Sequence, residues 1–237
     1  MMMRKIQSAP TIYYPESDGK PMAETDKHRD LMVAIIQMLQ YYFRNKPVYV
    51  SGNLLIYYEQ GNIKKCVAPD VFVVFGVSKK RCRTYLTWEE GNTPDFVLEL
   101  ASPSTFREDM RKKKDLYASV LGVKEYYIYD PYGEINPYFI GFRLIDGEYQ
   151  EIDFVNDRLN SEVLNLELGG HDGKLRLYDP KTEQWLQPPP ERVEDAEERA
   201  QTAEERAQQE AAARQNLEAE LTKVLLEIEQ LREKSGS

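Results

Sequence analysis

Apolar residues recur at helical spacing in HRDLMVAIIQMLQYYF, where Leu31, Ile35, Met38, Leu39 and Tyr42 share one face, and predict an amphipathic helix beginning after Glu24. Asn45 to Pro47 stop it. The period then changes. VYVSGNLLIYY reads as a strand or hairpin, and PDVFVVFGV and DFVLELA as short buried strands with β-branched and aromatic bias. Residues 107–121 return to a helical pattern, Gly122 is placed to end it, and KEYYIYDP begins a further strand that Pro131 closes. YFIGFRL and GEYQEIDFV alternate as additional antiparallel strands do. Helix, strands, helix and strand in this order predict an α/β fold with a central mixed β-sheet flanked by helices.

The pattern also divides the chain. Residues 1–22 are rich in Pro, Ser and Gly and predict an irregular N-terminal arm, 23–186 one α/β domain, and QPPP at 187–190 a linker. Beyond it AEERAQT and AEERAQQ repeat at heptad spacing. Ala196, Ala203, Leu217, Val224 and Leu231 fall at one seam position and Ala200, Ala207, Leu221 and Ile228 at the other, while Glu210 and Arg214 interrupt the seam. A coiled-coil helix over 191–234 is expected, followed by a disordered tail at 235–237. It either pairs with a second copy, giving a homodimer, or frays as a single helix.

Composition narrows the chemistry. Of the net charge of −9, residues 191–237 carry 13 acidic and 7 basic side chains, about −6, so the body is near neutral at about −3. Within that body Lys79, Lys80, Arg81 and Arg83 form one basic cluster, and Arg107 with Arg111, Lys112, Lys113 and Lys114 another. Each reads either as a solvated face or as a patch for a polyanion. Cys66 and Cys82 are too few for a disulfide framework or a thiolate metal site and are expected to be reduced. His28 and His171 are the only histidines, so neither a His-rich zinc site nor histidine-based catalysis is expected. MMMRKIQSAP holds no sustained apolar stretch and no later run is long enough to cross a bilayer, so no membrane association and a cytoplasmic location are expected. Phosphate-loop, dinucleotide, GxSxG and HExxH motifs are absent from the sequence.

One carboxylate stands out. In the strand PDFVLELA, Phe96, Leu98 and Leu100 share one face and Val97, Glu99 and Ala101 the other, so both faces are apolar and Glu99 requires a cationic partner. A buried ion pair or an exposed strand end would also account for it. Asp70, after Pro69, opens another apolar strand and is either a turn residue or, if the strands are neighbours, a second ligand with Glu99 for a hard cation such as Mg²⁺. On a helical wheel centred on Leu116, Tyr117, Val120 and Leu121, Lys113 lies in the middle of the apolar stripe. Its ammonium either enters a polar site or snorkels past packed methylenes. Ala101 leaves space beside Glu99.

APDVFVVFG, FVLELASPST and EDMRKKKDLYASVLGVKEYYIYDP together resemble the Uma-two family of restriction-endonuclease-like proteins with the PD-(D/E)xK fold, over residues 20–180. The resemblance implies a restriction-endonuclease-like core. It assigns Asp70 to the PD position and Glu99 to the acidic position, with Ala101 where the motif lysine would stand and Lys113 supplying the amine from the following helix. Asp95 in the second PD is a decoy. Glu24 matches poorly a further acidic position near the first helix.

The activity implied is metal-dependent hydrolysis of phosphodiesters in nucleic acid, DNA foremost. Asp70, Glu99 and the Leu100 carbonyl would hold Mg²⁺, with Mn²⁺ a substitute, while Lys113 orients water or stabilises developing charge. Ser102, Arg107 and Arg111 are candidate phosphate contacts, and Ser102 is equally a candidate helix cap. The rival reading is a catalytically inactive binding or assembly protein of the same fold acting through its coiled-coil tail.

Overall fold

The first periodic segment forms helix α1, Asp26–Tyr42, which buries Leu31, Met32, Ile35, Met38 and Leu39 and is capped by Thr25 accepting from the His28 N–H. The computed structural model describes residues 12–17 and 25–235, of which 212, 216 and 218–235 are described by backbone alone. The expected N-terminal arm is therefore seen only at 12–17, where Tyr14 packs on Tyr57 and Trp88. Glu24 lies outside the described residues, as do the side chains at seam positions Leu221, Val224, Ile228 and Leu231.

After α1 come β1 (Val48–Ser51), β2 (Ile56–Tyr57), β3 (Cys66–Val67), β4 (Val71–Phe75) and β5 (Tyr85–Leu86), then a one-turn helix α2 (Thr87–Glu90) and β6 (Phe96–Leu100). Helix α3 occupies residues 106–121, and β7 (Glu125–Tyr129), β8 (Phe139–Ile145) and β9 (Glu148–Glu151) follow it. β10 (Phe154–Val155), β11 (Arg158–Ser161), β12 (Leu166–His171), β13 (Lys174–Asp179) and β14 (Gln184–Trp185) complete this part of the chain. The order β1-β4-β6-β7-β8-β9 makes a six-stranded mixed sheet, with β6 and β7 parallel because α3 carries the chain back over the sheet between them. This is the mixed α/β architecture that the pattern predicts.

Both faces of that sheet are covered. Phe96, Leu98 and Leu100 of β6 pack with α1 and with Leu159, Leu166, Leu168, Leu175 and Leu177 of a second, five-stranded antiparallel sheet, β10 to β14. Val97 and Ala101 lie on the opposite face with Tyr117 and Leu121 of α3 and with Ile56 and Tyr85 of a three-stranded sheet, β3-β2-β5. Each buried Leu or Val here contributes about 1.5–3 kcal/mol of transfer free energy. The tyrosines of β7 belong to this packing, since Tyr126 and Tyr127 are fully buried. Buried Glu125 joins the two larger sheets by accepting from Ser161 Oγ and the Glu162 N–H and pairing with Arg143 at 3.0 Å.

VYVSGNLLIYY divides between two sheets, β1 in the large one and β2 in the small one. Gly52 stands at the division. A Cβ there would collide with the backbone carbonyl of Asp70, so glycine alone lets the chain pass at that point. The Asn53 N–H then donates to the Pro69 carbonyl at 2.8 Å, and this fixes the entry to β4 just before Asp70.

The chain forms two units, Met1–Pro188 and Pro189–Ser237, the second containing one helix, Pro189–Ser235. Among the described residues no helix is long and apolar enough to cross a membrane. Neither Cys66 nor Cys82 forms a disulfide among the described residues.

Candidate active site

β4 and β6 are antiparallel neighbours, with Val71 opposite Leu98, so the residues that precede the one and end the other meet at one edge of the pair. Asp70 precedes β4 and Glu99 lies near the end of β6. The Leu100 N–H donates to Asp70 Oδ2 at 2.7 Å. A residue's N–H and C=O leave a strand on the same edge, so the Leu100 carbonyl also faces the Asp70 side. The next N–H, of Ala101, turns the other way and donates to Tyr129.

Glu99 is 1% exposed. Tyr117 Oη donates to its Oε1 at 2.6 Å, and Lys113 Nζ stands 3.0 Å from its Oε2. The same ammonium lies 2.9 Å from Asp109 Oδ1, one helical turn earlier. Asp109 is itself buried, and the Tyr126 hydroxyl donates to its backbone carbonyl at 3.1 Å. On the far side of Asp70, His28 Nε2 of α1 approaches Oδ1 at 3.4 Å. His28, Asp70, Glu99, Asp109 and Lys113 line a cleft of about 410 Å³ together with Ser102, Ser104 and Thr105.

Helix α3 presents Lys113 by an unusual route. Its backbone follows π geometry at Asp109–Lys113 and again at Tyr117–Leu121, with ordinary α-helical turns on either side. Such wide turns re-phase the side chains and recur at functional sites. Asp109, Lys113, Tyr117 and Leu121 then share the face against β6. Val120, which the ideal wheel places in the same stripe, is 55% exposed because of that re-phasing. Gly122, at φ +61°, ends the helix, and the Val123 N–H donates to the Tyr117 carbonyl.

The electrostatics of the cleft are unbalanced toward negative charge. Burial pushes the Glu99 carboxyl up to about 8 against the attraction of Lys113, and the neighbouring Asp70 and Asp109 push the same way. Burial likewise raises Asp109. Burial opposes charge on Lys113, but Glu99 and Asp109 more than offset it and hold the ammonium above its ordinary range. Lys113 thus keeps its proton, and the Glu99 carboxyl is held well above the ordinary carboxylate range.

Among the described residues no three His, Cys, Asp or Glu side chains are grouped closely enough to hold an ion by themselves. The donor set is nevertheless of the kind Mg²⁺ uses, one or two carboxylates with a carbonyl, the remaining positions going to water and phosphate oxygens.

The family model of Uma2, described as "Putative restriction endonuclease", matches residues 6–171. The chain belongs to the Uma2 family. That membership supports a nuclease function. A solved structure, "a putative nuclease belonging to DUF820 from Anabaena variabilis ATCC 29413", aligns with a TM-score of 0.45 at 15% identity, covering 63% of this chain and 81% of that one. No curated protein matches.

Of the residues singled out in the sequence, Asp70, Glu99, Leu100, Ser102 and Lys113 all line the cleft of this Uma2 chain. Ser102 Oγ sits 2.8 Å from Ser104 Oγ, and the Ser102 N–H donates to Thr105 Oγ1. Arg107 and Arg111 are exposed on α3 and do not line it. Asp95 has a structural role, accepting from the Phe75 N–H at 2.8 Å and pairing with Lys124 at 2.7 Å. The first basic cluster is largely engaged within the fold: Lys79 Nζ donates to the carbonyls of Phe43 and Arg44 at the end of α1, Lys80 pairs with Glu90 and Arg83 with Glu16.

Three contributors are additions to the sequence reading. Asp109 was readable as an i,i+4 partner of Lys113. Tyr117 was assigned to packing alone. His28, set aside because histidines are few, reaches the cleft through the packing of α1, which no local pattern reveals.

Proposed function

We propose that this protein is a metal-dependent endonuclease that hydrolyses phosphodiester bonds in DNA. The observation carrying the proposal is the convergence, in one cleft, of Asp70 on the Leu100 N–H and of Lys113 on buried Glu99. Asp70, Glu99 and the Leu100 carbonyl would hold Mg²⁺, for which Mn²⁺ would substitute. Bound there, a divalent ion supplies charge neutralisation and lowers the pKa of a coordinated water. Tyr117 and Lys113 fix both oxygens of Glu99 in direction, so the carboxylate does not have to reorganise when substrate arrives. Lys113, held charged by two carboxylates, is the donor available to stabilise charge developing on a phosphate oxygen or to orient the attacking water. Asp109 acts through Lys113 as a positioning residue. Ser102 and its hydroxyl neighbours Ser104 and Thr105 offer donors at the cleft mouth for a phosphate.

Purified protein incubated with circular and linear DNA in Mg²⁺ tests this reading. Cleavage by the wild type, lost by at least two orders of magnitude in Glu99→Gln and Lys113→Met, is expected. Undiminished cleavage by either variant contradicts the assigned roles.

A second reading concerns assembly. The C-terminal helix spans 47 residues, and its apolar positions Ala196, Ala200, Ala203, Ala207 and Leu217 are exposed. A long helix with an uncovered seam gains stability from a partner helix, and a second copy of this chain supplies an identical seam, which would make the protein a homodimer. Sedimentation of the full chain against residues 1–188 tests it. A dimer that becomes monomeric on truncation is expected, and a monomeric full chain contradicts it.

A further inference from the structure

Lys113 lines two concave surfaces at once. Besides the cleft, it lines a groove of about 650 Å³ between the β2–β3 hairpin and helix α3. Lys64 and Lys65 stand on the hairpin rim and Lys112 on the helix rim. All three are exposed, and among the described residues no carboxylate pairs with Lys64 or Lys65. Lys112 pairs loosely with Glu108, a surface contact at 3.3 Å that contributes little and is easily exchanged. The floor is apolar, formed by Leu55, Val67, Leu116 and the half-buried ring of Tyr58. Glu108 shares the helix rim, so the four lysines that line the groove face one carboxylate. A net cationic rim over an apolar and aromatic floor, sharing Lys113 with a cleft suited to a phosphodiester, matches one polymer chemistry: phosphates along the lysines, and bases laid against the floor.

Resting on the reading of the cleft as a nuclease site, we infer that this groove carries single-stranded nucleic acid to or from the scissile bond, with Lys64, Lys65 and Lys112 on its phosphates and Tyr58 under a base. A single strand is the occupant because a duplex keeps its bases stacked and would leave the apolar floor without a partner. The groove also separates the basic side chains by role. Lys79 and Lys80 of the first run are engaged within the fold, whereas Lys112 of the second run lines the groove with Lys64 and Lys65, which belong to neither.

Binding of a fluorescein-labelled single-stranded oligonucleotide to the full chain in EDTA, followed by anisotropy across a salt series, tests the assignment. Cleavage in Mg²⁺ is measured in parallel. Each lysine–phosphate contact on a single strand contributes about 0.7 to the slope of log K against log salt, so Lys64→Ala/Lys65→Ala should flatten that slope by about 1.4. Tyr58→Ala should weaken single-strand binding about tenfold at constant slope. Lys174→Ala, on β13, should change neither. An unchanged slope in the double variant while the wild type still cuts overturns the groove and spares the catalytic reading. Slope loss without any cleavage does the reverse. A wild type that neither binds nor cuts removes both, and equal loss of duplex and single-strand affinity in Tyr58→Ala contradicts single-strand occupancy.

Discussion

Lys113 Nζ lies 3.0 Å from Glu99 Oε2 although one residue belongs to helix α3 and the other to strand β6. The ammonium is the cation that a carboxylate in the middle of a two-sided apolar strand requires, and it serves Asp109 as well. Removing it should leave two buried carboxyls without compensation. Lys113→Met is therefore expected to lower unfolding free energy by about 3–5 kcal/mol in metal-free protein at pH 8, by urea denaturation. A loss below about 1 kcal/mol would show that the charges are solvated.

Glu99 gives the stability of the metal-free protein a definite pH dependence. Its carboxyl loses its proton near 4.5 in the unfolded chain and near about 8 in the folded one. Between these values the folded state holds a proton that the unfolded state has released. The contribution is thus complete below 4.5 and is lost as pH rises through 8, with a slope of at most about 1.4 kcal/mol per pH unit. Calorimetric melting in EDTA between pH 5 and 8.5 should show a falling Tm for the wild type and a flatter profile for Glu99→Gln. Parallel profiles would remove Glu99 as the source.

Metal binding should run against the same proton. A cation at Asp70 and Glu99 requires the ionised carboxylate, so apparent Mg²⁺ or Mn²⁺ affinity should rise by up to about tenfold per pH unit below 8 and level off above it. Titration calorimetry in two buffers of different ionisation enthalpy should show close to one proton released near pH 6.5. Affinity independent of pH would mean that the metal binds without Glu99.

Tyr117→Phe deletes only the hydroxyl that donates to Glu99 at 2.6 Å. A cost of about 1.5–3 kcal/mol is expected above pH 8, where the acceptor is ionised, and the falling limb of the pH–stability profile should move to higher pH because that bond favours ionised Glu99. Retention of both wild-type values would assign Tyr117 to packing alone.

Gly52→Ala tests how the backbone sets the site. The added methyl meets the backbone carbonyl of Asp70, which must shift to admit it, and Ile36 Cδ1, the movable end of a side chain. A loss of about 1–3 kcal/mol in stability, with a disproportionate loss of cleavage, is expected. Loss of stability alone would show that Asp70 tolerates displacement.

Much of the site could be read from the chain because its central strand announces itself. Five buried residues with one glutamate among them, and a lysine in the apolar stripe of the next helix, are local patterns, and β6 and α3 form where those patterns lie. Local reading failed where the third dimension decides. The π turns at Asp109–Lys113 and Tyr117–Leu121 shift the face of α3, which an ideal wheel does not include, so Val120 lies outside and Asp109 inside. His28, far earlier in the chain on α1, reaches Asp70 by packing over the sheet. Of the small sheet β3-β2-β5, β2 falls in the segment read as a strand or hairpin, while β3 and β5 escaped notice, since strands of two residues carry no readable period.

The central claim is that Asp70 and Glu99 share a hard cation with Lys113 facing it. Crystals grown or soaked with Mn²⁺ and measured for anomalous scattering address it directly. The account predicts a peak within coordination distance of an oxygen from each carboxylate, with the Lys113 ammonium turned toward the same space. Density bound elsewhere, or none at either carboxylate when calorimetry shows Mn²⁺ saturating the protein, would contradict it.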